Sequence, residues 1–548
     1  MDARQFECLQ AGHLQPLIMV AVKEKLNYLA KRPVLIFGMG CLLLFIISFL
    51  GVYWLRVIYS PAWLGQIKGS LAVFFTLFVV FGIIRFGARF KNKNSRLFLS
   101  LCLFVLGVLF VFATPPNQVP DENTHFLRAY SMAEGQWGFD ANHIYPNDVR
   151  LLMKYFPTAY NNGHPAKQGD TVYDRFTDYK TAVSSGEERG NLSIIIFQVI
   201  PYIPGAIGIF LARLLGFGAL GAYHGCRLAN RLFFCICAYW AFKTADRFKI
   251  IMFTLAAMPL IVFICGSCSS DAVLFGLMFV MFASVLAEKF DNKMLFAFRV
   301  SYGILTVHKM SYCVFLLLLL GVKKENFDIE VNRKKHGRLF RGAVCLVLFV
   351  LMYQAMGLYV KMFSNYGVIE RTMENSDPAA QLIFILKNPL RYRAVAFDTL
   401  LNNSFFLFSG GLLGYLDVKL SLVNYLTPVA VILCCVKQRN IFTKEDERKT
   451  LRFLICSLLT YAVVVTGLYL SWTPVTLPQV IGLQMRYFYP AFMGFCMVLG
   501  QYFGKRTKPD VKNTDMSCVV TSCAFCVVAA ALMLITYYLP RPARVFVA

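Results

Sequence analysis

Two carboxylates stand side by side in the stretch Pro115-Pro116-Asn117-Gln118-Val119-Pro120-Asp121-Glu122-Asn123-Thr124-His125-Phe126, just past the end of an apolar run. The prolines stop a helix and stiffen its exit. Adjacent carboxylates raise one another's pKa, which suits proton transfer, and His125 and Arg128 follow within one helical turn or two. An acid at the rim of a membrane is a functional candidate by default. The competing reading is a charged helix N-cap, and on residue types alone the two stand even. A second acid closes Ser267-Cys268-Ser269-Ser270-Asp271. Asp271 reads as a metal ligand, an acceptor contact or an N-cap, and the cap is slightly favoured. The third group is basic. Lys309 lies in the middle of an apolar stretch, and Arg486 opens Arg486-Tyr487-Phe488-Tyr489-Pro490. Cations at such depth need partners. A lipid phosphate is one, held bidentately by arginine, and snorkelling to the interface is the alternative for Arg486.

These residues must be positioned by helices in a bilayer. Of the 548 residues, 57% are hydrophobic and only 16% are charged, against roughly 25% charged in soluble domains. Apolar runs long enough to span occur near 34–55, 97–113, 343–360 and 518–539. The net charge of +25 resides in short basic clusters between such runs. That is the positive-inside pattern, and no nucleic-acid partner is expected. The basic stretch Lys23, Lys25, Lys31 and Arg32 precedes a full-length span without a cleavage site, so the first helix is expected to remain as an anchor with its start in the cytoplasm. Threading the chain through the charge clusters predicts an all-α polytopic protein of about thirteen transmembrane helices. The expected layout has an N-terminal part over 1–94, a core over 95–505 and a last helix in 506–548. Residues 114–191 form a long external loop, and 194–215, broken by Pro201, Pro204, Gly205 and Gly208, form a re-entrant or interfacial helix. This threading places Asp121, Glu122, Asp271, Lys309 and Arg486 on one face, although none of them set the orientation.

Weaker features are Gly410–Asp417, readable as a substrate-facing turn or a helix break, and the sequon at 191–193. The 17 cysteines lie mostly in apolar runs and read as packing residues, including Cys523 and Cys526. The sequence has no phosphate loop, dinucleotide fingerprint or His-Glu-x-x-His, and no evident internal repeat. Nucleotide-driven transport, zinc proteolysis and symmetric secondary transport lose support.

The segment PPNQVPDENTHFLRAY at 115–130 resembles the signature of domain-of-unknown-function family 2142, a bacterial membrane family placed with the GT-C glycosyltransferases. Later pieces occur in similar order: RLANRL at 227–232, SSD ending at Asp271, KMSY at 309–312, GGLLGYLD at 410–417 and GLQMRYFYP at 482–490. The acidic motif also resembles the Asp-Glu-x-His-Phe of protein O-mannosyltransferases, with one extra residue before His125. The resemblance implies a GT-C-like fold and a polyprenyl-phosphate-linked sugar donor. It implies Asp121 as the base with Glu122 as alternate, and His125, Arg128, Asp271, Lys309, Tyr312, Arg486 and Tyr487 as substrate-binding residues. It leaves a divalent ion, Mg or Mn, open. The acceptor is expected to be a cell-envelope glycan or glycolipid at the external face of the bacterial inner membrane. The alternatives are a lipid-linked glycan flippase and a non-catalytic envelope assembly subunit.

Overall fold

The computed structural model describes residues 95–138, 140, 143–158, 172–188, 192, 199–322, 376–408, 412–414, 418, 422–475, 477–504 and 514–538, with scattered helical positions between 343 and 358. All lie within one compact unit, Gly82–Ala548. The first two expected helices, most of the helix expected from 343, part of the sequon and residues 415–417 fall outside this set.

The described residues are helical and contain no strand. The apolar run that carries no charge beyond Arg96 forms α1, Ser95–Ala113. Residues 114–191 were expected as a loop, but three helices stand there: α2 (Glu122–Ala133), α3 (Asn147–Tyr155) and α4 (Val172–Ser184). They are short and polar, and hydropathy alone does not distinguish them from loop. The proline-broken stretch gives a 3-10 turn, Ile200–Tyr202, and a short helix α5, Ile203–Leu214.

Helix α6 (Ala219–Thr244) is the hub, packed against α1, α3 and α5. Its buried positions run 219, 222/223, 226/227, 230/231, 234/235, 237/238, 241/242, the stripe of a helix with one face inward. That inward stripe carries Arg227, Asn230 and Arg231, so the core must supply partners for two guanidiniums. Gly107 on α1 makes room for one of them, since a Cβ there would overlap the Arg231 side chain.

The apolar run over 250–266 forms two pieces, α7 (Lys249–Ala256) and α8 (Pro259–Cys265), bent by 83°. Pro259 explains the break: it has no N–H, and it pushes Met258 to extended backbone (ψ 134°). Helix α9 (Asp271–Leu286) packs on α6 and on α10 (Asn292–His308). A 3-10 segment, Met310–Gly321, follows with Lys309 at the junction. Two helices absent from the sequence reading come next, α11 (Pro378–Lys387) and α12 (Pro389–Phe408). The Gly-rich stretch closes as a turn at Gly414 (φ 65°), with Val418 N donating to Leu413 O at 3.1 Å. The last helices are α13 (Leu422–Lys437), α14 (Glu447–Ser471), α15 (Met485–Gly504) and α16 (Thr514–Tyr538). The expected separate C-terminal helix, α16, packs on α1 and α13. Among the described residues, three helices are long and apolar enough to cross a membrane, or four if the bent pair is one span.

Charge marks both ends of α1. At its start, Arg96 pairs with Asp246 at 2.8 Å, Asp246 also takes Lys249 at 3.0 Å, and Arg247 pairs with Asp446 at 2.6 Å. The 19 residues of α1 reach about 28 Å to a second charged cluster, close to a bilayer's hydrocarbon thickness.

Helices α5 and α6 touch through glycine. A Cβ on Gly208 would overlap the carbonyl of Gly225, and one on Gly225 would lie 2.6 Å from the carbonyl of Gly208. Such backbone contact is how small residues join membrane helices. Gly208→Val is therefore expected to separate the two helices and destabilise the fold by roughly 1–3 kcal/mol. A fall in the detergent melting temperature of the full chain checks this, and an unchanged melt would refute the contact.

Candidate active site

Helix α1 ends in Pro115-Pro116, and neither proline offers an N–H. The carbonyls of Val111 and Phe112, four residues earlier, therefore lose their helical donors. Arg227 Nη1 donates to Val111 O at 2.9 Å and to Thr114 O at 2.6 Å, and Nη2 reaches Pro115 O at 3.0 Å. Tyr538 Oη donates to Phe112 O at 3.2 Å. The same guanidinium then turns its Nε–Nη2 edge to Glu122, with two hydrogen bonds of 2.8 Å. Glu122 Oε1 also accepts from Cys268 N at 3.0 Å. Both members of this pair are fully buried. Glu122 therefore ties α2 to α6 and to the serine turn before Asp271.

The neighbouring carboxylate faces the other way. Asn117 and Asp121 both adopt left-handed backbone (φ 62° and 64°), a conformation Asn and Asp tolerate better than most residues. Asn117 is pinned by Tyr223, whose Oη accepts from Asn117 N at 2.8 Å, and by its own Nδ2 donating to Phe156 O at 2.6 Å. Asp121 occupies the N-cap position of α2, yet its side chain makes no capping hydrogen bond. It accepts instead from Arg486 Nη2 at 2.9 Å. Its side chain is 57% exposed, whereas that of Arg486 is 6% exposed.

Asp271 is also no cap. It is the first residue of α9, oriented by Asn230 Nδ2 on Ser267 O (3.0 Å) and by Ser269 Oγ accepting from its own N–H (3.2 Å). Its buried carboxylate lies between Lys309 Nζ, directly hydrogen-bonded to it, and Arg486 Nη1 at 3.5 Å. Lys309 is held at the α10 junction, where Tyr302 Oη donates to Cys313 O at 3.2 Å. Arg486 begins α15 after a connection pinned by the unanticipated helices: Gln381 of α11 donates to Thr473 O at 3.1 Å, and Val480 N donates to Thr399 Oγ1 of α12 at 3.1 Å. Val395, Val464, Val465, Tyr469, Val480 and Phe488 pack together beneath it.

The result is a chain of alternating charge, Asp121–Arg486–Asp271–Lys309, drawn from four distant parts of the sequence. The Tyr487 ring lies 5.4 Å from Lys309 Nζ and 5.3 Å from Arg486 Cζ, within cation–π reach. His125 sits close enough for all four charges to act on it, and burial lowers its pKa to about 4. Its Nδ1 lies 2.6 Å from Tyr202 Oη. Tyr312 is buried beside Phe315.

The expected residues thus divide. Asp121, His125, Asp271, Lys309, Arg486 and Tyr487 converge. Glu122 and Arg128 do not open onto the same space. Glu122 is consumed by Arg227, and Arg128, fully buried, donates to the carbonyls of Gln136, Trp137 and Gly138, closing the chain after α2. Phosphate was expected to partner the two cations, and protein carboxylates hold both. Sequence reading missed Tyr202 as the partner of His125 and Arg227 as the partner of Glu122. Two arginines four residues apart in an otherwise apolar helix were the available signal for Arg227. Among the described residues no three His, Cys, Asp or Glu side chains are grouped to hold a metal ion. The guanidinium of Arg486 lies between Asp121 and Asp271, so the donor set as arranged does not fit Mg or Mn, and no step through a metal is derived.

Two outcomes separate the adjacent acids. Glu122→Gln leaves the buried Arg227 without a counter-charge, which is expected to cost roughly 3–5 kcal/mol and to deplete folded protein on size exclusion. Asp121→Asn, at a half-exposed position, is expected to purify normally. Equal yields and melting temperatures for both variants would contradict this division. His125 adds a pH test. Its pKa of about 4 lies below the ordinary value near 6.5, so folding favours the neutral ring. That contribution is complete above about pH 6.5 and is lost as pH falls toward 4. The melting temperature of His125→Gln is therefore expected to fall less than that of the natural chain between pH 7 and 4.5. Parallel pH profiles would show that folding does not lower the pKa of this ring.

No curated protein and no solved structure matches this chain. Residues 103–494 match a family described as a predicted membrane protein of unknown function, and all six converging residues lie within that span. The chain belongs to this membrane protein family, DUF2142.

Proposed function

We propose that this membrane protein is a glycosyltransferase that moves a sugar from a polyprenyl-phosphate-linked donor to a hydroxyl of an envelope glycan or glycolipid. The observation that carries the reading is the convergence of a half-exposed carboxylate, Asp121, with two cations, Arg486 and Lys309, at one end of α1. Asp121 takes the proton from the acceptor hydroxyl. The hydroxyl oxygen bonds to the anomeric carbon, and the bond from that carbon to the phosphate oxygen breaks. The electron pair leaves with the polyprenyl phosphate, whose growing negative charge faces Arg486 and Lys309. Asp271 keeps those cations apart and oriented. Neutral His125, set by Tyr202, is placed to hydrogen-bond the sugar or the acceptor. A lipid phosphate donor accords with the lack of any nucleotide fingerprint. The same reading takes the chain as a GT-C-like bundle of about thirteen spans, with the site at the external face of a bacterial inner membrane.

Transport is less well supported. The charges of the core, Arg227 and Arg231, are fully buried, and each donates to a carbonyl of the α1 helix or its end, with Arg231 Nε and Nη1 unpartnered among the described residues; burial keeps both from lining an open path.

Asp121→Asn is expected to lower sugar transfer by about 10²–10⁴-fold at normal protein level, with the corresponding sugar lost from the envelope. Unchanged envelope sugar in cells carrying normal amounts of the variant would reject the assignment.

A further inference from the structure

The two arginine–carboxylate pairs use the same edge of the guanidinium differently. Arg227 offers Nε and Nη2 to Glu122, and both are filled at 2.8 Å. Arg486 offers Nη2 to one oxygen of Asp121 at 2.9 Å and, at 3.4 Å, to Tyr487 Oη, while its Nε, buried, has no hydrogen-bond partner among the described residues. A buried donor without a partner is costly, and an edge that is half used fits an oxyanion able to span both N–H groups. Charge points the same way. Asp121 and Asp271 balance Arg486 and Lys309, and His125 is neutral, so the cluster has no net charge to offer an incoming phosphate. One carboxylate must leave to make room. Asp271 is buried and held by both cations. Asp121 is held by one and faces solvent.

We propose that Asp121 and the donor's phosphate compete for the Nε–Nη2 edge of Arg486, so that donor binding itself releases Asp121 to act as base. The inference rests on the glycosyltransferase reading and adds an order to it. Before the donor arrives, the Asp121 carboxylate is latched by Arg486 and not engaged by an acceptor hydroxyl. The phosphate takes Nη2 and the open Nε, Asp271 keeps Arg486 and Lys309 in place, and the freed carboxylate turns to the acceptor hydroxyl. Donor therefore binds before acceptor.

The test is direct binding of farnesyl phosphate to the purified full-length chain in detergent, with inorganic phosphate as a second probe. If the latch exists, Asp121→Asn binds farnesyl phosphate about tenfold tighter than the natural chain, because a competing charge is gone. Asp121→Glu, which keeps the charge, stays near the natural affinity, and Arg486→Gln loses binding. Size exclusion and melting temperature confirm that each variant is folded. A gain for inorganic phosphate equal to that for farnesyl phosphate assigns the competition to the phosphate alone. A gain confined to farnesyl phosphate assigns it to the lipid-borne group. If Asp121→Asn binds no tighter while Arg486→Gln still abolishes binding, the latch is overturned and the phosphate-binding site survives. If neither the natural chain nor Asp121→Asn binds either probe, the latch and the donor reading fail together.

Discussion

Glu122 and Arg227 are removed from water together, joined by two hydrogen bonds of 2.8 Å at zero exposure. Desolvating such a pair costs several kcal/mol per ion unless every remaining group is satisfied. Here the proline pair that ends α1 supplies the satisfaction. By withholding two N–H donors, Pro115 and Pro116 free the carbonyls of Val111 and Phe112; Arg227 donates to the first and Tyr538 to the second, and Cys268 N donates to Glu122. One interaction thus fixes the exit of α1, the start of α2, the middle of α6 and the turn that leads into α9. Asp121 is one residue from this joint and Asp271 is three residues from it. Their spacing across the site is set by a pair that takes no part in the chemistry.

Adjacency in sequence therefore does not make a carboxylate dyad. A helix start at Glu122 with left-handed backbone at Asp121 sends consecutive side chains in opposite directions, one into the bundle and one to its rim. The expectation that the two acids act as a coupled pair gives way to a division: one acid holds, the other is exposed. Comparing the two arginines makes the same point. Arg227 has every donor engaged, whereas Arg486 is nearly as buried yet retains an open Nε.

What was legible in the sequence follows from what sequence patterns encode. Apolar run length located α1, α14 and α16, and Lys309 stood out because a lone lysine in an apolar stretch needs a partner. The convergence of Asp121, Asp271, Lys309 and Arg486 was foreshadowed by the loop charges, which sort residues by face without reference to contacts. The pairings were not legible. Arg227 lies in a run that reads as an ordinary amphipathic helix, and nothing local says that Glu122 rather than Asp121 meets it. Helices α2, α3, α4, α11 and α12 were missed because they are short, or too polar to register as spans. Yet α11 and α12 supply Gln381 and Thr399, which pin the approach to Arg486. The bend at Pro259 was visible as a proline but not as an 83° turn, since a proline inside an apolar run can either kink a helix or end it.

The backbone and the long-range ion pair at position 121 favour the same residue by independent routes. A left-handed residue before a helix is accessible to Gly, Asn and Asp, and disfavoured for longer or branched side chains. In that conformation the main-chain carbonyl of Asp121 still accepts the first helical bond, from His125 N at 3.1 Å. The side chain, however, is turned from the amides it would otherwise cap. Capping by Asp is ordinarily favourable by about 1 kcal/mol, so the geometry forgoes a local gain. It does so in order that the carboxylate can reach Arg486, 365 residues away in the chain. Glycine or asparagine would serve the backbone equally well. Only aspartate also brings a charge, and that charge is what the long-range contact uses. A helix start that is locally suboptimal and globally paired is what is expected where a long-range contact outweighs a local one.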